Sequence, residues 1–205
     1  MFKILNYFFQ SIIIYLFFLI GVIFRIKYSR RIFSFLFSFV GPFFKSKKVL
    51  DKNLEIFSVN ISEKLKKKII KDMWKNYGMT FIEYMFLDFF KKQNSHITIK
   101  GEENLSPLRN GKPVIFVSGH FANFELMSME ITKKKIKLAT IYRPLNNIFL
   151  NPAMEYLRRK HVCKNQIQKG IKGVREAINY IKNNHSIALM IDQRVSEGGK
   201  NKFFW

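Results

Sequence analysis

The longest run of apolar residues lies near the start of the chain. Over residues 4–24 the sequence is almost continuously apolar, which is roughly the length that a helix needs to cross a bilayer core of about 30 Å. Asn6, Gln10 and Ser11 interrupt the run. No small-residue cleavage site follows it, and the next residues form a basic cluster of the kind that stays on the cytoplasmic side: Arg25, Lys27, Arg30 and Arg31. The pattern predicts an uncleaved membrane helix with the rest of the chain in the cytoplasm.

A second apolar stretch, residues 32–44, contains six phenylalanines and is too short to span a bilayer. Because basic residues flank it, we expect an amphipathic element that lies in the membrane interface against anionic headgroups. A helix buried in the protein core is the alternative. If residues 4–24 also lie in the interface, the protein is monotopic. One membrane span is the interpretation that we favour.

Beyond this anchor, helical spacing alternates with short apolar runs. The spacing predicts helices over residues 62–92, 121–134, 152–161 and 171–183, and strands over 114–117, 136–142 and 186–191. Strands that alternate with helices indicate an α/β fold, a mostly parallel sheet flanked by helices. We expect a membrane anchor with an interfacial helix over residues 1–45 and one folded domain over 46–205. The chain ends within an apolar pattern, Phe203-Phe204-Trp205, which predicts that it is C-terminally incomplete.

Charge narrows the choice of partners. The chain has 36 Lys and Arg against 14 Asp and Glu, a formal net charge of +22, so an anionic partner is expected. Nucleic acid, anionic lipid, a phosphorylated lipid and an acidic carrier protein all fit this charge. A polybasic segment beside a membrane helix favours an anionic leaflet by about 1 kcal/mol per charge. Since basic and aromatic residues do not interleave regularly outside the membrane segment, we do not expect nucleic acid.

Several kinds of site are absent from the sequence. A single cysteine, Cys163, excludes an internal disulfide and fits a reducing cytoplasm. The four histidines, at positions 96, 120, 161 and 185, have no metal-ligand spacing, so neither a metal site nor a cofactor is expected. The nucleophile motif GxSxG does not occur, and an acyl-enzyme is therefore not implied.

The most informative segment follows the predicted strand over residues 114–117. A turn at Ser118 and Gly119 leads to His120, and Glu125 lies five positions further on. Residues five apart are offset by about 140° on a regular helix, so we expect His120 just outside the helix and Glu125 in its first turns. Over the carboxyl end of a strand, a histidine oriented by a carboxylate could take a proton from a hydroxyl group. A helix cap or a packed histidine is the alternative.

Two more polar residues follow predicted strands at what should be the same edge of the sheet. Arg143 could hold a phosphate or carboxylate oxygen, and a structural salt bridge is equally compatible with the sequence. Asp192 could hold a neighbouring loop or Arg194, and we favour this structural role over direct catalysis. Asp192, Asn146, Asn147 and Arg175 are also candidates for substrate binding.

These motifs carry a family resemblance over nearly the whole chain. The spacing of His120 and Glu125 resembles the H-x4-D/E motif of the bacterial lipid A late acyltransferases, the lauroyl and myristoyl transferases. Other segments fall in the same order: Asn53-Leu54; Trp74, Asn76, Tyr77 and Gly78 with Glu83; Tyr142-Arg143-Pro144 with Asn146-Asn147; the helix start from Gly170 to Arg175; and Ile191-Asp192-Gln193.

The resemblance implies a membrane-bound acyltransferase of lipopolysaccharide biosynthesis on the cytoplasmic face of the bacterial inner membrane. It implies an acyl carrier protein thioester as donor and a hydroxyl of a lipid A precursor as acceptor. His120 would be the general base, Glu125 would orient it, and Arg143 would position substrate. An acyltransferase acting on another glycolipid or phospholipid is the alternative enzyme. A membrane-anchored basic binding module is the alternative without catalysis.

Overall fold

The computed structural model describes residues 2–44, 47–57, 60–109 and 111–192. The chain divides into two compact units. The first comprises Met1–Ile99 and Pro144–Lys164, and the second comprises Lys100–Arg143 and Asn165–Trp205. The division predicted at residue 45 stays a prediction.

Helices form most of the described structure. In chain order they are α1 (Phe2–Ile23), α2 (Ile26–Val40), α3 (Lys47–Phe57), α4 (Glu63–Glu83), α5 (Leu87–Lys92), α6 (Ser106–Arg109), α7 (Glu125–Lys133), α8 (Asn151–Leu157) and α9 (Ile171–Lys182). Short 3₁₀ turns cover Gly41–Phe43, Tyr84–Phe86 and Glu102–Leu105, and a π-helical turn covers Arg158–Val162. Among the described residues, α1 alone is long and apolar enough to cross a bilayer, by length and composition.

Small residues let the three longest helices of the first unit, α1, α2 and α4, approach one another closely. A Cβ atom at Gly21 of α1 would collide with the Ile82 side chain of α4, and one at Gly78 of α4 would collide with the carbonyl O of Phe33 in α2. The Ser29 hydroxyl lies 2.6 Å from the carbonyl O of Gly21, which links the first turn of α2 to the end of α1. The core of this unit therefore forms where α1, α2 and α4 cross.

The long helix predicted over residues 62–92 begins as expected and then breaks. Ser62 caps α4, because its hydroxyl accepts a hydrogen bond of 3.3 Å from the backbone N–H of Leu65. At Tyr84–Phe86 the chain tightens to a 3₁₀ turn before α5. Residues of this turn pack against the buried core of the unit, formed by Phe18, Phe33, Ile82 and Met154. Helical spacing alone did not reveal the break.

The second unit contains a parallel sheet of four strands. They are β1 (Ile115–Ser118), β2 (Leu138–Tyr142), β3 (Asn165–Gln168) and β4 (Ser186–Met190), in the spatial order β1-β4-β2-β3. All three pairings are parallel, with Val117 opposite Leu189 and Ile141 opposite Ile167. The predicted α/β class is confirmed. Strand β3 was not predicted, because three of its four residues are polar.

Helix α9 covers one face of this sheet. Its residues Ala177, Tyr180 and Ile181 join a core with apolar side chains of the strands: Ala139, Ile141, Ile167, Ile187 and Leu189. A Cβ at Gly173 would overlap the carbonyl O of Gln168, so glycine lets α9 begin close to the end of β3. The strands therefore share one packed face, and because they are parallel their carboxyl ends lie at one edge of the sheet.

Candidate active site

The site lies where β1 and β4 end side by side. Ser118 pairs with Met190 in the parallel register, and the backbone N–H of Ile191 donates a 3.0 Å hydrogen bond to the carbonyl O of Ser118. The ladder therefore continues one step past the strands. The segments that follow β1 and β4 then leave the sheet side by side, which brings His120 next to Asp192.

Asp192 binds His120 through both of its carboxylate oxygens. Oδ1 lies 2.6 Å from the ring nitrogen Nδ1, and Oδ2 accepts a 2.7 Å hydrogen bond from the backbone N–H of His120. A Cβ at Gly119 would lie 3.1 Å from Asp192 Oδ2 and 2.8 Å from the Phe121 ring. The glycine therefore leaves the space in which the carboxylate reaches the histidine.

This contact determines which nitrogen of His120 is basic. An ionised carboxylate only accepts hydrogen bonds, so Nδ1 carries the proton and the lone pair of the neutral ring lies on Nε2. The Phe124 ring packs edge-on against the imidazole, with 4.5 Å between ring centroids. The ring is thus held on two sides, by Asp192 at Nδ1 and by the edge-on packing of Phe124.

Asp192 is ionised in this arrangement. Burial acts to raise the pKa of Asp192, and the opposing hydrogen bonds from the His120 ring and backbone outweigh it, so the pKa lies below the ordinary 3.8. An ionised carboxylate on Nδ1 also stabilises the imidazolium that forms when Nε2 takes a proton. The pair can therefore act as a general base with its own counter-charge.

Glu125 is the first residue of α7 and is buried, with 7% exposure. The helix begins four residues later than the predicted 121–134, because the intervening chain makes a tight turn. The Phe121 N–H donates to the carbonyl O of Gly119 at 2.8 Å, and Ala122 adopts a left-handed φ of 44°. His120 lies outside the helix. The role predicted for Glu125, to orient His120, stays a prediction beside the contact from Asp192.

One comparison decides the family. The sequence model of the family of bacterial lipid A biosynthesis acyltransferases matches residues 1–204, which is almost the whole chain. The chain belongs to that family. A search of the curated proteins finds no match. The family indicates acyl transfer in lipid A, and hence lipopolysaccharide, biosynthesis, and it confirms the resemblance seen in the sequence.

Besides Asp192, two predicted substrate-binding residues of the acyltransferase lie in the same unit as His120. Arg143 directly follows β2 and is exposed at the carboxyl edge of the sheet. Arg175 lies in the second turn of α9, which starts from that edge after β3, and it is also exposed. Both could meet an anionic group of a substrate, and both roles stay predictions.

The remaining predicted substrate-binding residues, Asn146 and Asn147, belong to the first unit. Asn146 is exposed, whereas Asn147 is buried with 7% exposure. The Asn147 amide donates a 2.8 Å hydrogen bond to the carbonyl O of Tyr7, and its oxygen accepts one of 3.0 Å from the Phe149 N–H. In this structure Asn147 therefore holds the loop before α8 against α1. The substrate-binding role predicted for both residues stays a prediction.

The sequence placed Asp192 at the edge of the sheet where the structure has it, but it assigned Asp192 to substrate binding or to a structural contact with a loop or Arg194. The substrate-binding role of Asp192 stays a prediction. Arg194 and Gln193 lie outside the described residues. The contact with His120 joins positions 72 apart, so no local motif contains it. The available signal was topological, since both residues follow strands of one parallel sheet.

Proposed function

We propose that this acyltransferase moves a fatty acyl chain from an acyl carrier protein thioester to a hydroxyl group of a lipid A precursor, with His120 as the general base. Family membership supports the reaction class. The 2.6 Å contact between His120 Nδ1 and Asp192 supports the choice of base, because it leaves Nε2 as the basic nitrogen.

The proposed reaction is a direct transfer. Nε2 of His120 takes the proton of the acceptor hydroxyl while the hydroxyl oxygen attacks the thioester carbonyl carbon. The tetrahedral oxyanion collapses, the C–S bond breaks, and the thiolate receives the proton from the imidazolium. The products are an ester and the free thiol of the carrier. Backbone N–H groups at the start of α7 are the candidates to bind the oxyanion.

The two carboxylates would have separate roles. Asp192 would keep the proton on Nδ1 and balance the charge of the imidazolium. Glu125, buried at the first position of α7, would orient His120 or the turn that carries it. Arg143 would hold a phosphate of the acceptor, because a guanidinium binds phosphate oxygens in a bidentate manner. A further contact to substrate would come from Arg175, which lies in the same unit as His120.

Membrane attachment is part of the proposal. Helix α1 would anchor the protein to the bacterial inner membrane, with the sheet on the cytoplasmic face, where acyl carrier protein and the precursor meet. The apolar length of α1 and the basic residues that follow it support this arrangement. A formal charge of +22 suits an anionic leaflet, a phosphorylated acceptor and an acidic carrier protein.

The test is acyl transfer by the full chain in inner-membrane vesicles. An acyl carrier protein thioester is the donor, a tetra-acylated lipid A precursor is the acceptor, and mass spectrometry detects the product. Wild type should form the product and His120→Ala should not. His185→Ala is the matched control, because His185 precedes β4 at the opposite edge of the sheet.

The outcomes separate the parts of the proposal. Near-normal turnover by His120→Ala would refute the assignment of the base. Product from acyl coenzyme A but not from the carrier thioester would refute the assignment of acyl carrier protein as the source of the acyl chain. A wild-type protein that inserts correctly and acylates only another glycolipid or a phospholipid would refute the assignment of a lipid A precursor as the acceptor.

A further inference from the structure

Helix α2 presents an apolar stripe to the outside of the first unit. Tyr28, Ile32, Phe35 and Phe39 recur at helical spacing and span about 60° around the helix axis. Phe35 is 73% exposed and Phe39 is 71% exposed, and Phe43 in the following 3₁₀ turn is 85% exposed. We call these five residues the aromatic stripe. Four large aromatic rings in a row at the surface are unusual for a face in contact with water.

The stripe is separate from the face that α2 uses to fold. Phe33 is 2% exposed and belongs to the core with Ile82, and the carbonyl O of Phe33 lies against Gly78 of α4. Ser29, which is fully buried, points toward the end of α1. The helix is therefore fixed by one side, and the stripe on the other side does not serve the core of the unit.

Charge identifies what the stripe would contact. Helix α2 contains no acidic residue, and Arg31 and Lys27 are exposed beside the stripe. By helical geometry, Arg31 lies about 40° from the edge of the stripe at Phe35. An apolar face rimmed by cationic side chains is the pattern of a helix that lies in the interface of an anionic bilayer.

A second copy of the chain fits this surface less well. Each copy carries a formal charge of +22, so two basic rims would repel each other, whereas anionic headgroups would neutralise them. Helix α2, which carries the stripe, begins two residues after α1 ends, so a bilayer that holds α1 is already within its reach. Both arguments select a lipid surface over a protein partner.

We propose that the aromatic stripe inserts into the boundary between headgroups and acyl chains of an anionic bilayer, with Lys27 and Arg31 at the phosphates. Helix α2 would then lie in the membrane plane and form a second contact beside α1. This inference concerns the orientation of the first unit on the membrane and does not depend on the proposed acyl transfer.

The experiment reads the depth of single positions in the full-length protein. A bimane fluorophore is attached to Phe35→Cys, to Phe39→Cys or to Lys27→Cys, each in a Cys163→Ala background that removes the buried native thiol. Lys27 is the matched control, because it is on the same helix about 110° from the centre of the stripe. The proteins are reconstituted into vesicles of phosphatidylglycerol and phosphatidylethanolamine or of phosphatidylcholine alone, with doxyl-labelled lipid as the membrane quencher and iodide as the aqueous quencher.

In anionic vesicles, the two stripe positions should show blue-shifted emission and several-fold stronger quenching by doxyl lipid than position 27. Iodide should quench position 27 more strongly. Equal iodide quenching at all three positions would overturn the proposal, because the stripe would then face water. Stripe positions shielded from both quenchers would also overturn it, because a protein surface would then cover them. Equal doxyl quenching in neutral vesicles would overturn the requirement for anionic lipid.

Discussion

Replacing Asp192 by Asn is the sharpest test of the proposed base, because it removes a charge and changes the shape of the side chain very little. The amide has two orientations. With its oxygen toward the His120 backbone N–H, its NH₂ group faces Nδ1, which must then be the acceptor, so the ring proton moves to Nε2. In the reverse orientation, two N–H donors oppose each other at the present separation of 2.7 Å.

The favoured orientation therefore removes the base. We expect kcat to fall by about 10²- to 10⁴-fold, the usual contribution of general acid–base catalysis, with little change in KM. Stability should fall by no more than about 1 kcal/mol, since the Asp192 side chain is 40% exposed and solvent weakens its interaction with His120. At the assay pH, well above its ordinary pKa of 3.8, Asp192 is ionised in both the folded and the unfolded chain.

The assay is steady-state acyl transfer in vesicles, with thermal unfolding measured on the same preparations. Asp72→Asn is the matched control, because Asp72 is an exposed carboxylate on α4 that pairs with Lys75. The double variant Asp192→Asn with His120→Ala should be no slower than His120→Ala alone, because residues that act as one unit are not additive. If Asp192→Asn keeps more than about a tenth of the wild-type kcat, the tautomer argument is wrong.

Three further predictions concern stability. Gly78→Ala should destabilise the protein by about 1–2 kcal/mol, measured by denaturant unfolding in detergent. The reason is that overlap with the Phe33 carbonyl outweighs the better helix propensity of alanine. Equal or higher stability of the variant would contradict the close crossing of α2 and α4. Ser62→Ala should cost about 1 kcal/mol by loss of the α4 cap, and an unchanged midpoint would show that the cap is not needed. Burial lowers the pKa of His161 below 6.5, although Asp88 lies 3.5 Å away. Because the histidine is then protonated at a higher pH in the unfolded chain than in the folded one, the stability of the protein should fall as the pH drops through 6.5. A His161→Gln variant should lose this dependence between about pH 7.5 and about pH 5.5, and a wild-type midpoint that rises on acidification would refute it.

Much of the fold was accessible from apolar spacing. The apolar run over residues 4–24 corresponds to α1, and the elements predicted over 171–183 and 186–191 correspond to α9 and β4 within one residue. The signal for α1 was a continuous apolar run of sufficient length, whereas α9 and β4 contribute apolar residues to the core of the second unit. Strand β3 has the sequence Asn-Gln-Ile-Gln, and Ile167 is its one apolar residue, so its place comes from pairing with β2 and not from its own composition.

Helix α2 shows that the spacing of apolar residues in a sequence does not always reveal which face of a helix is buried. The sequence left two interpretations of residues 32–44 open, an interfacial element and a core helix. The structure gives the helix one buried face at Phe33 and one exposed face at Phe35 and Phe39. A segment that is apolar on both sides has no clear polar face in the sequence, so pattern analysis cannot tell which side packs on protein.

The candidate site shows the corresponding limit for chemistry. The 140° offset between His120 and Glu125 correctly placed His120 outside the helix. The carboxylate on Nδ1 comes from a residue 72 positions away, and what brings it there is the strand order β1-β4-β2-β3.

That strand order has a chemical consequence. If β2 were the neighbour of β1, Arg143 and not Asp192 would follow the adjacent strand. A guanidinium has no acceptor for the proton on Nδ1, and its charge would oppose formation of the imidazolium. With β4 between them, the carboxylate meets the histidine, and the arginine lies one strand further along the same edge. The same order that supplies a counter-charge to the proposed base therefore keeps the arginine separated from the histidine by one strand, where it is exposed and could meet an anionic substrate group.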